Sequence, residues 1–198
     1  MLTRHSPREF DAVALGRLET DAWAGYYRRE WLRALRAFVG MVREGFGLGP
    51  WFTLVGAWHV LRANQAWAPF PRNDPDAARA SMRRFYALVV AHSDLRLDPT
   101  RAAELEVEWW RLHRARQHDS SVSRADLEQA LVDLYAYVYG TAPSLMAEAA
   151  RCRAEAMDLS DAWVAAGCDP ADPLLAAERR ALVASYAALL DAVSRSPV

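Results

Sequence analysis

The chain has 198 residues, a formal net charge of −1, 53% apolar residues and 25% charged residues. That is about one domain's length, enough to bury one sizeable core, and the composition is neither that of a disordered chain nor that of a membrane-spanning bundle. The near-neutral balance argues against nucleic acid as a partner.

Residue usage narrows the chemistry further. All 24 basic residues are Arg; Lys and Ile are absent, and there are 38 Ala. This pattern resembles a codon bias, so Arg-richness by itself says little about phosphate or carboxylate recognition. The lack of Lys excludes Schiff-base enzymes, hence pyridoxal phosphate as cofactor, and a phosphate-binding loop of the GxxxxGK[ST] kind, hence that mode of nucleotide binding. Cys152 and Cys168 form no CxxC pair and read as free thiols. Met1 to Glu9 contains no apolar signal region. The expected location is therefore the cytoplasm.

Val and Thr are few, which favours helices over strands. Capping side chains followed by proline open several segments: Ser6-Pro7, Asp74-Pro75, Asp98-Pro99 and Asp172-Pro173. Ser123 and Asp126 have capping-box spacing. Gly45, Gly47 and Gly49 break one helix from the next, and Gly140 and Gly167 suit helix ends. The chain thus reads as helices over 7–18, 20–45, 50–66, 75–92, 99–118, 124–139, 143–166 and 173–194, with no breaker to separate the first two, and with loops at 69–74 and 118–123. The predicted fold is all-α, one compact bundle of seven or eight helices spanning 1–198 as a single domain without a linker, and 50–66 is its expected central element.

Three segments are candidates for function. Helix 20–45 is amphipathic: Arg28, Arg29, Arg33, Arg36 and Arg43 share one side, opposite Trp23, Tyr27, Trp31, Leu35, Phe38 and Val42. A basic amphipathic helix can meet an anionic membrane or an acidic partner, although most such faces are simply solvated. The run from Gly45 to Leu61 is uncharged for 17 residues, and its helical part is too short for a membrane span. It carries His59 beside Trp58, with Trp67 two turns on. Helix 99–118 places Glu106 and His113 on one line with Trp110 beside it.

An aromatic pocket formed by Trp58, His59, Trp67, Glu106, Trp110 and His113, binding a small apolar molecule or a cofactor, is the leading expectation. An alternative is a haem or non-haem iron oxidoreductase, with His59 or His113 as ligand and Glu106 or Glu30 completing the shell. It has no standard motif behind it: no His follows an Asp or Glu by three residues, and HExxH is absent. No Gly-x-Ser-x-Gly elbow is present, and no other motif decides whether the protein is an enzyme. Tyr135, Tyr137 and Tyr139 alternate by two and cannot share one helix face; aromatics left at a surface would suit a homo-oligomer contact.

Overall fold

The computed structural model describes residues 6–119 and 121–195. His5 and residue 120 of the expected 118–123 loop lie outside the described residues. Among the described residues the chain is all-α, with eight helices and no strand: α1 (Ala12–Tyr27), α2 (Trp31–Phe46), α3 (Pro50–Trp67), α4 (Pro75–His92), α5 (Pro99–Arg116), α6 (Arg124–Tyr139), α7 (Pro143–Ala165) and α8 (Pro173–Ser194). No helix among them is long and apolar enough to cross a membrane.

The caps follow the sequence signals. The carboxylates of Asp74, Asp98 and Asp172 accept from Ala77 N at 2.9 Å, Thr100 N at 2.9 Å and Leu174 N at 2.8 Å, each ahead of a proline that has no N–H to satisfy. The Ser123–Asp126 capping box forms in both directions. Gly47 and Gly140 end α2 and α6 in the left-handed conformation, at φ 58° and 60°.

Two expectations near the N-terminus are corrected. Ser6-Pro7 opens a turn, closed by Glu9 N–H donating to Ser6 O at 2.9 Å, not a helix. The first helix waits for Asp11, whose carboxylate accepts from Val13 N and Ala14 N. The reason is tertiary: Phe10 is buried edge-on against Tyr186, and the Arg8 guanidinium donates to the carbonyls of Tyr139 and Val193. The expected helix 20–45 is also two helices. The chain turns at Arg28–Glu30, with Arg29 at φ 60°, so that α2 can fold back on α1. The close approach of Gly25 to Ala34 holds that hairpin; a Cβ on Gly25 would lie 2.9 Å from Ala34 N.

Each helix packs chiefly on its neighbours in sequence, and α8 returns to pack on α1. The result is a closed ring of helices joined by short connections. The segment 50–66 is therefore not central, as expected, but one member of this ring. Its Thr53, Gly56, Ala57 and Leu61 face inward, while Trp51, Leu54 and Trp58 face out.

The closure between α1 and α8 depends on Gly16. A Cβ there would sit 2.5 Å from Val183 Cγ2 and 2.8 Å from Val183 N. Backbone cannot yield as a side-chain tip can, so Gly16→Ala should destabilise by about 1–3 kcal/mol despite its better helix propensity. Urea unfolding at unchanged m-value checks this.

Candidate functional site

A ring of eight helices cannot close its own axis, and a cavity of about 200 Å³ lies there. Every helix contributes to its wall. Most of that wall is apolar or aromatic, including Trp23, Phe38, Phe85, Trp109, Trp110 and Leu134. The polar groups are few and ordered into two sets.

The first set joins α1, α7 and α8. Glu19, 2% exposed, is gripped by the Arg153 guanidinium: Nη1 donates to Oε2 at 2.9 Å and Nη2 donates to Oε1. The Tyr186 hydroxyl adds a bond to Glu19 Oε2 at 2.6 Å. The Arg153 guanidinium also lies against Trp23 and Trp109, 5.8 and 5.3 Å from the ring centres. Burial opposes the Arg153 charge, but Glu19, Tyr135 and Tyr186 together outweigh burial and raise the guanidinium pKa.

The second set joins α4 and α5. The Tyr86 hydroxyl donates to Glu106 Oε2 at 2.7 Å, and Trp109 Nε1–H donates to Glu106 Oε1 at 3.1 Å. Burial raises the Glu106 pKa, with Tyr86, Arg153 and Trp109 offsetting part of that effect. Burial pushes Tyr135 up to about 12 and raises Tyr86, Tyr139 and Tyr186 as well, so these phenols remain hydrogen-bond donors at neutral pH.

The six residues expected to form one pocket are divided among different places. Glu106 and Trp110 line the axial cavity. Trp67, Trp110 and His113 line a second, smaller cavity of about 70 Å³, which shares Trp23, Asn64, Trp109 and Trp110 with the first. His113 Nε2 lies 3.1 Å from Asp161 Oδ2 on α7. Trp58 and His59 are corrected: they belong to the outer side of α3 and line neither cavity. Burial and the nearby Arg84 charge lower the His59 pKa. The helical step of 100° turns residues 58 and 59 away from the inward line of Ala57, Leu61 and Asn64. Tyr135 and Tyr139, four residues apart, share the axial wall, whereas the Tyr137 hydroxyl accepts from Asp98 N.

The four residues considered as an iron shell do not converge. Glu30 pairs with Arg28 and Arg33 at the α1–α2 turn, Glu106 bonds Tyr86, His113 faces Asp161, and His59 lies beside Arg84. Among the described residues, no group of three or more His, Cys, Asp or Glu could hold a metal ion.

The expected Arg face is likewise dispersed. Arg28 bonds Glu30 and the Cys168 carbonyl, Arg29 bonds the Ala68 carbonyl, and Arg33 pairs with Asp21 and Glu30. Arg28 and Arg29 are exposed in the α1–α2 turn, and of the three on α2 Arg36 and Arg43 are exposed while Arg33 is half-buried.

Glu19, Arg153, Tyr86, Tyr135, Tyr139 and Tyr186 complete the site beyond the sequence expectation. A signal existed for the charged pair. Glu19 stands between Leu15 and Ala22 on the apolar line of α1, and Arg153 between Ala149 and Met157 on that of α7. A charge on such a line is a buried charge, and buried charges need partners.

The chain matches no protein-family model, no curated protein and no solved structure at a significant level.

Proposed function

We propose that this protein binds a small, mainly apolar molecule carrying one hydrogen-bonding group in the cavity on the axis of the helical ring. The supporting observation is the cavity itself: about 200 Å³ of aromatic and aliphatic wall, with Glu106 and its two donors as the polar spot. Ligand pockets have this make-up, apolar walls with a few placed polar groups that fix orientation. An apolar cavity of about 150 Å³ holds benzene, so this one suits a substituted single ring or a small bicyclic compound. Glu106 Oε1 and Oε2 each keep accepting capacity after bonding Trp109 and Tyr86, which favours a ligand hydroxyl or amine over a carboxylate. The second cavity, sharing four wall residues, and a third open one of about 520 Å³ that shares Tyr26, Tyr27 and Arg114 with the second, lead from the axis toward the surface.

The reading is tested by thermal unfolding with p-cresol, indole and benzylamine. A ligand at a hundred times its Kd adds about 2.7 kcal/mol of stability. We expect one or more of these probes to raise Tm, and Val138→Phe or Val60→Phe, each filling the cavity from a different helix, to abolish the rise while the protein stays folded. No rise for any probe, or a rise that survives both variants, overturns the proposal.

A further inference from the structure

Among the described residues, α3 carries three of the six large hydrophobic side chains that are exposed. Trp51, Leu54 and Trp58 are 70%, 53% and 52% exposed. At 100° per residue they and Arg62 fall within about 80° of arc, forming one stripe two to three turns long. Leaving two indole rings and a leucine in water on adjoining turns forgoes several kcal/mol of burial, a pattern that marks an interaction site.

The exposed charges of α2 and α3 are of one sign, and the exposed acid of α4, Asp76, pairs with Arg79. From Pro50 to Trp67 the helix has no acidic residue and one basic residue, Arg62, whose Nη1 bonds the neutral Gln65 side chain at 2.9 Å. On α2, which packs against α3, the outward line is Leu32, Arg36 and Arg43. On α4, which packs on the other side, Arg83 and Arg84 are exposed. None of the ion pairs among the described residues involves Arg36, Arg43, Arg62, Arg83 or Arg84. The face therefore combines exposed tryptophans with uncompensated arginines.

We propose that the α2–α3–α4 face docks this protein on an anionic lipid surface, with Trp51, Leu54 and Trp58 entering the headgroup region and Arg36, Arg43, Arg62, Arg83 and Arg84 meeting lipid phosphates. Tryptophan favours this depth of a bilayer, where its ring is in apolar surroundings and its N–H is wet. Arginines beside such a stripe add electrostatic attraction to anionic headgroups. A second copy of the chain is a poor occupant, because a two-fold contact would set the same arginines against each other. The axial cavity and the two that adjoin it include none of Trp51, Leu54 and Trp58, so the stripe is separate from the proposed ligand site.

The test is co-sedimentation of the full chain with phosphatidylcholine vesicles, with and without phosphatidylserine, at low and high salt. Binding is expected only with phosphatidylserine, with a blue shift in tryptophan emission, and should weaken at high salt. Trp51→Ala/Trp58→Ala should lower the partition coefficient at least about tenfold. Arg36→Gln/Arg43→Gln/Arg62→Gln should remove the dependence on phosphatidylserine. These are exposed positions, so the variants should keep the wild-type Tm. Failure of the wild-type chain to bind phosphatidylserine vesicles at low salt overturns the proposal, and so does binding that both variants retain. A concentration-dependent dimer abolished by the tryptophan variant, or saturable binding to an acidic peptide in place of vesicles, would assign the face to protein and overturn it as well.

Discussion

Replacing Arg153 with leucine is expected to cost about 3–5 kcal/mol of stability, the largest loss from any single side chain of the site. The substitution leaves Glu19 as a buried carboxylate with the Tyr186 hydroxyl as its remaining bonded partner. Removing one member of a buried pair is far more damaging than removing both, because the stranded charge has lost water and partner alike. Glu19→Leu alone should therefore also be severe, stranding the guanidinium between Trp23 and Trp109. The double variant Glu19→Leu/Arg153→Leu should recover much of the loss and unfold at a denaturant concentration near that of the wild type. Equilibrium unfolding of the four proteins gives the coupling directly, and an additive double variant would mean that the pair contributes nothing as a pair. The same cycle bears on the proposed pocket. Arg153 forms part of the cavity wall, so the stabilised double variant should have a more apolar chamber and prefer ligands without a polar substituent.

The fold was legible because its signals are local. A capping carboxylate, a proline at the first helical position and a glycine at the end need no tertiary partner, and from α3 onward they mark the helix ends to within two residues. Where tertiary contacts decide, the reading failed. Nothing local at Ser6-Pro7 reveals that Phe10 is drawn into the core, and nothing at Arg28–Glu30 reveals a turn, since Arg29 adopts a left-handed conformation that arginine does not favour. Closure of α8 on α1 is non-local, and without it a run as apolar as Gly45 to Leu61 looks like the middle of a bundle. The site divides in the same way. Glu106 and Trp110 could be read together because a helical period relates them along α5. Glu19 and Arg153 are 134 residues apart, and only the ring brings them together.

Glu178 offers the strongest dependence of stability on pH. It lies on the buried line of α8 between Leu175 and Leu182, is fully buried, and neither carboxylate oxygen has a hydrogen-bond partner among the described residues. Burial first, and then the Glu19 charge, push its pKa from the ordinary 4.5 up to about 8, with Arg179 opposing. In the unfolded chain Glu178 ionises near 4.5, whereas in the native protein it keeps its proton to about pH 8. Its favourable contribution is thus complete below the unfolded value, shrinks as pH rises from about 4.5, and is gone once pH passes about 8. Each tenfold change in the ionisation constant is worth about 1.4 kcal/mol, so several kcal/mol are at stake across this window. Glu178→Gln cannot ionise and should flatten the profile: near parity with the wild type at pH 5, and greater stability, by at least about 1–2 kcal/mol, at pH 9. Glu178→Met, which removes the unpartnered polar atoms as well, should be more stable than the wild type at both values. Urea unfolding of the three proteins from pH 5 to pH 9 provides the measurement. A wild-type profile parallel to that of Glu178→Gln would mean that Glu178 is already ionised in the native state, with water or a counter-charge reaching it. The carboxyl stands close enough to Glu19 to feel its charge, so the profile also reports on the axial cavity. A ligand amine seated at Glu106 would add a positive charge to that neighbourhood, and the pH at which wild-type stability falls should then move down.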